Sequence, residues 1–248
     1  MTTSFTRRNV EFSGDDGVIL QGWLFTPTQT TGDPRLYPGI VMTHGYGAVK
    51  ELYLDRYAEV FAQSAFVVLL YDHPNFGESY SGGHVLAVSA LDKCVKCVVS
   101  LMPSINGKRN LKRRSKSDED YRKLLKAFER DRKQRAEGGT PRTIPIIRPE
   151  EQQDWWQFFD VGHAAEDDQW RYRNWKNEQT LRSVELYVEY NPEEYVEKIA
   201  PCPLLMLVAE QDAVTFVDDE IELFETEAIC PDSTGSQRMV HEIFVFAR

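Results

Sequence analysis

The sequence has no long apolar run. Its longest, FVVLLY at 66–71 and PLLMLV at 203–208, fall far short of the roughly 20 residues that cross a bilayer as a helix, so no membrane association is expected. It has no surplus of positive charge either. The 29 Lys and Arg stand against 39 Asp and Glu, for a net charge of −10, which argues against a broad nucleic-acid-binding surface. Cysteine is scarce, with four residues in 248. Cys94 and Cys97 form a CxxC, but no second Cys or His pair accompanies it, so neither a zinc site nor a redox motif is expected. The carboxylate pairs Asp167-Asp168 and Asp218-Asp219 lack histidines at metal-ligand spacing. No phosphate-binding glycine loop is present, since GESYSGGH is not followed by Lys-Ser/Thr. The first residues have no apolar secretory stretch, and Phe246-Ala247-Arg248 is not a recognisable import or retention signal. The expectation is a cytoplasmic chain, with the peroxisome as the alternative, and without cofactor or metal.

What the sequence does have is alternation. Residues 9–26 read as a β-hairpin around GDDG, a turn of residues that tolerate positive φ. YPGIVMTH is a short buried strand, and KELYLDRYAEVFAQSA a helix with Leu52, Tyr57, Val60 and Phe61 at helical spacing. FVVLLYD, YSGGHVLAVSALDK and VKCVVSLMP continue as strand, helix and strand, and PLLMLVAEQDAVT resumes the pattern with a strand ending near Asp212. Strand-helix-strand alternation specifies a parallel sheet with crossover helices.

Between Asn106 and Ile199 the character changes to charged, helical and tryptophan-rich. SKSDEDYRKLLKAFERDRKQR predicts a helix capped by Ser117, with Asp118, Glu119 and Asp120 in the first turn and Tyr121, Leu124, Leu125 and Phe128 as its apolar stripe. The basic cluster KRNLKRRSK reads as a solvated surface. Trp155, Trp156, Phe158, Phe159, Trp170, Tyr172 and Trp175 serve either ordinary packing or an apolar ligand. The domain organisation expected is an α/β core at 1–105 and 200–248, with a helical aromatic-rich cap at 106–199.

Acyl transfer needs a nucleophile, a base, a carboxylate to orient the base, and N–H donors for the oxyanion. Ser79, in GESYSGG, is the candidate nucleophile. Tyr80 at the mouth of the next helix and Tyr46, after the His44-Gly45 turn, offer backbone N–H groups. Asp212 lies where a ligand-facing carboxylate belongs, at the C-terminal edge of a strand. His241 follows it by 29 residues and is the candidate base. His44 reads as a turn residue and His84 as a packing residue; His73 and His163 have no evident partner.

YPGIVMTHGYGAVKELYLDRYAEVFAQ, LLYDHPNFG, SYSGGHVLAV, VKCVVS and PLLMLVAEQDAVT together resemble the α/β-hydrolase superfamily. The likeness is to the branch with GSSYSGGH at the nucleophile elbow, which includes fungal polyketide transferases and thiohydrolases of secondary metabolism. The resemblance implies an α/β-hydrolase-like parallel sheet with an inserted helical cap. It implies serine-dependent acyl transfer or thioester/ester hydrolysis on a hydrophobic, polyketide-like acyl chain, a substrate that a polyketide synthase would deliver. It assigns Ser79, Asp212 and His241 as catalytic, with Tyr46 and Tyr80 as oxyanion donors. Two departures stand against it. NFG joins ESYSGGH directly, so the nucleophile-bearing strand is missing, and Ser79 follows Asp72 through a loop unless FVVLLYD slides into the vacant place. The tail QRMVHEIFVF is not the family's histidine context. The alternative is therefore an inactive paralogue, a remnant or a binding protein. The sequence does not specify an oligomeric state.

Overall fold

The computed structural model describes residues 4–14, 17–28, 37–72, 81–147, 170–171, 173–212, 214–227 and 241–246. The chain divides into two compact units, Met1–Ser79 with Ile144–Gln179 and Tyr80–Thr143 with Thr180–Arg248. Of the 106–199 insertion, residues 144–179 group with the first unit, and 106–143 and 180–199 with the second.

In the first unit, β1 (Phe5–Ser13) and β2 (Ile19–Pro27) form the expected hairpin, paired from Phe5 opposite Pro27 to Ser13 opposite Ile19. Gly17, at φ 79°, takes the left-handed position in its turn. β2 continues antiparallel onto β4 (Val67–Tyr71), and β4 pairs in parallel with β3 (Gly39–Thr43), giving the order β1-β2-β4-β3. β4 therefore keeps its place between β2 and β3 rather than sliding into a vacant position.

Helix α1 (Leu54–Gln63) covers this sheet. Its buried face keeps only part of the apolar stripe read from the sequence, since Phe61 packs against the sheet core but Tyr57 and Val60 do not. Ala58 and Ala62 are fully buried with Phe25, Val68 and Leu70, whereas Tyr57 and Val60 are 60% and 58% exposed. Small side chains let the helix axis approach the sheet, and Tyr57 and Val60 turn outward.

The second unit holds a three-stranded parallel sheet, β5-β6-β7, made of β5 (Val98–Leu101), β6 (Leu204–Ala209) and β7 (His241–Phe246). The tail thus forms a strand, which its broken rhythm did not announce. Helix α2 (Ser81–Leu91) and a 3₁₀ helix (Pro192–Ile199) supply one side of its core through Leu86, Val196 and Ile199, against Val98, Leu204 and Met206. The paired glycines of α2 have a packing reason. A Cβ on Gly82 would stand 2.3 Å from the Leu101 carbonyl oxygen, and one on Gly83 would stand 2.6 Å from that of Ser104.

The insertion adds three helices to this unit: α3 (Gly107–Arg114), α4 (Asp118–Ala136) and α5 (Leu181–Val188). Ser117 caps α4 as expected, its hydroxyl accepting from the Asp120 N–H, and Phe128 is the buried member of the apolar stripe. Helix α6 (Val217–Glu227) follows β6. Among the described residues no helix is long and apolar enough to cross a membrane.

Only residues 72–80 stand between β4 and α2. A parallel crossover needs a dozen or more residues; among the described residues no strand lies between β4 and α2.

Candidate active site

The first unit contributes the turn that leaves β3. His44 is buried, its Nδ1 is 3.0 Å from the Gly45 carbonyl oxygen, and burial holds its imidazole below the usual range. Tyr46 and Gly47 form the turn itself, with Gly47 at φ 68°. Three groups fix it in place. Gln179 Nε2 donates to the Tyr46 hydroxyl, Trp175 Nε1 donates to the Gly47 carbonyl at 2.6 Å, and Lys50 ties the far end to β4.

Lys50 sits among residues that sequence reading passed over. It is 8% exposed, and its Nζ donates to Asp72 Oδ2 and, at 2.9 Å, to Glu51 Oε1. Its backbone N–H donates to Asp72 Oδ1 at 2.8 Å, and His44 Nε2 lies 3.7 Å from that oxygen. Burial works to lower the Lys50 pKa, but the hydrogen bonds to Asp72 and Glu51 outweigh it and raise the pKa. Asp72 is the residue after β4, so one carboxylate gathers the 44–50 turn onto the strand that leads toward Ser79.

The insertion braces the same unit. Arg171 donates to Asp55 Oδ1 at 2.6 Å and to the Glu51 carbonyl at 2.9 Å, with Trp170 and Tyr53 beside its guanidinium. Trp170 also packs on Trp23. Of the aromatic residues singled out as a ligand lining, Trp155, Trp156, Phe158, Phe159 and Tyr172 lie outside the described residues. Trp175 serves the turn. The one legible signal for the Lys50 cluster was a Lys-Glu pair set in the apolar surroundings of GAVKELYL.

In the second unit Asp212 follows the C-terminal end of β6, as the sequence led us to expect. Its Oδ1 accepts the N–H groups of Val214 at 2.6 Å and Thr215 at 2.9 Å, and its Oδ2 accepts the Thr215 hydroxyl at 2.8 Å. Asn110 Nδ2 donates to the Val214 carbonyl, and Arg113 pairs with Asp218 and Asp219, so α3 pins this loop. Close by, Glu220 is fully buried without a well-formed hydrogen bond. Burial, helped by the charge of Asp212, pushes its carboxyl up to about 8.

His241 stands elsewhere. It is the first residue of β7 and is paired with Leu204, the first residue of β6. A six-residue strand rises about 16 Å, so His241 lies at the end of the sheet opposite to Asp212. The structure does not bring these two together, because the parallel register of β6 and β7 runs from His241 forward. Ser79 and Tyr80 lie outside the described residues, as do His73 and His163. His84 stacks on Tyr190 with ring centroids 4.9 Å apart, in keeping with a packing role. Among the described residues no three His, Cys, Asp or Glu are placed to hold a metal ion.

No family model matches the chain. Two fungal proteins are similar in sequence. One is a thiohydrolase of Eupenicillium brefeldianum, 24% identical over 269 aligned positions that take in 88% of this chain and 82% of that one. The other is the polyketide transferase grgF of Penicillium sp., 24% identical across 91% of this chain and 86% of that one. An alignment of 269 positions exceeds the 248 residues present here, so the relative carries residues that have no counterpart in this chain. The crystal structure of the α/β-hydrolase GrgF from Penicillium sp. sh18 matches with a TM-score of 0.70 over 97% of this chain and 89% of that chain, at 19% identity. The chain has the fold of the α/β-hydrolase superfamily and is similar in sequence to fungal proteins named thiohydrolase and polyketide transferase.

Proposed function

We propose that the chain catalyses serine-dependent acyl transfer or thioester/ester hydrolysis on a hydrophobic, polyketide-like acyl chain in fungal secondary metabolism. In this reading Ser79 Oγ attacks the carbonyl, the tetrahedral oxyanion accepts hydrogen bonds from the N–H groups of Tyr46 and Tyr80, and the thiolate or alkoxide leaves and takes up the proton that the Ser79 hydroxyl gave up. Water or an acceptor hydroxyl then attacks the acyl-serine and frees Ser79. The observation that supports it most is Asp212, held by three hydrogen bonds just past the C-terminal end of β6, the edge where open α/β sheets place their ligands.

A second reading, a binding protein without turnover, is favoured by the position of His241 opposite Leu204. Labelling with a fluorescent fluorophosphonate separates the two. Acyl transfer predicts labelling that Ser79→Ala abolishes and His241→Ala leaves unchanged. A folded wild-type protein that takes no label would overturn acyl transfer by Ser79.

A further inference from the structure

Helix α4 carries cations that the fold does not use. Residues 107–135 hold thirteen of the chain's 29 Lys and Arg against five Asp and Glu, an excess of positive charge inside a chain of net charge −10. Several are engaged. Arg109 and Arg113 pair with Glu193, Asp218 and Asp219, Arg132 and Arg135 pair with Glu185, and Lys123 pairs with Glu119 and Asp120.

Arg122, Lys126, Arg130 and Lys133 are different. All four are exposed, and none makes an ion pair among the described residues. Their spacing of four, four and three places them on one face of the helix, about 16 Å from first to last at 1.5 Å per residue. Phe128, on another face, is buried. Glu129 lies within the stripe and leaves it in positive excess. The helix dipole accounts for Lys133 in the last turn, but Arg122, Lys126 and Arg130 lie too far from that end to gain from it.

The shape of this patch decides what it suits. A stripe one helix wide and about 16 Å long contacts few phosphates of a duplex or an anionic membrane. It does match carboxylates repeating at helical spacing on a second helix, where complementary charges set register and association rate. We propose that this face of α4 docks an acidic helix of the protein that presents the acyl chain as its thioester. The identity of the partner rests on the acyl-transfer reading; the docking itself requires no catalysis.

The test uses the full chain and two fluorescent probes, the apo acyl carrier domain of a fungal polyketide synthase and a helical peptide with glutamates at the matching spacing. Fluorescence anisotropy should show binding at low salt that weakens as ionic strength rises. The fourfold variant R122E/K126E/R130E/K133E should bind about tenfold more weakly or worse, with its circular dichroism unchanged. The all-glutamine version, which keeps helix propensity, should lie between. Failure of both probes to bind the wild type overturns the proposal, as does equal binding by the fourfold variant. Tighter, stripe-dependent binding to a DNA duplex or to phosphatidylserine vesicles overturns it too, by assigning the stripe to a polyanion. Because the carrier is apo, loss of Ser79 labelling with docking intact removes acyl transfer and leaves docking standing.

Discussion

Glu220 is the residue whose chemistry reads most directly as a measurement. Its carboxyl is raised from 4.5 to about 8, so the folded state holds a proton that the unfolded chain gives up. The stability this confers is complete below pH 4.5. It is lost progressively as the pH rises from there to about 8, and is level above that. Glu220→Gln cannot ionise and removes this slope. At pH 7.5 we expect the variant to be more stable than the wild type by roughly 1–3 kcal/mol in urea unfolding, while at pH 4.5 the two converge. An unchanged slope would mean that Glu220 finds a partner in solution. Lys50 and Asp72 teach the converse. A buried cation with two carboxylate partners stays charged, and what it stabilises is the geometry of one turn.

Among the elements, the hairpin, β3, β4, α4 and β6 were legible because each carries its own signal: GDDG between alternating runs, β-branched stretches between punctuation, Ser117 ahead of three acids. α1 was legible as a helix but not in its orientation. Periodicity counts Tyr57 and Val60 as core, yet the fully buried positions of the helix are Ala58 and Ala62, with Leu54 and Phe61 packed beside them. Ala58→Leu or Ala62→Leu should therefore destabilise by about 1–3 kcal/mol through overpacking. Val60→Ser should stay within about 0.5 kcal/mol of wild type in the same denaturation assay. The reverse ranking would restore the sequence-based face. β7 was hidden because HEIFVF is a lone short apolar run at the end of the chain with no following element to set its rhythm, and its pairing partner lies more than thirty residues earlier. The candidate site was legible at Asp212, a strand-end carboxylate. It was not legible at His241, since sequence spacing carries no information about which end of a strand a residue occupies.

For the whole molecule, the sheet edges carry a surface cost. β3 and β5 each have one described pairing partner, and Val41, Val99 and Leu101 on them are 66%, 51% and 45% exposed. Parallel strands are ordinarily covered on both faces, and uncovered apolar edges invite self-association. Val99→Thr with Leu101→Thr keeps strand propensity while removing apolar surface. We expect lower light scattering on concentration and weaker binding of the dye ANS. Unaltered association in the double variant would show that these positions are not the sticky ones.

The division of the chain has a further consequence for anyone cutting it. The backbone passes from one unit to the other near residues 79, 143 and 179, so neither unit is a contiguous stretch of gene. A single scission at the exposed Gly138-Gly139 link yields two fragments that each own part of both sheets' surroundings. Producing either unit alone would therefore require joining separate stretches of the sequence.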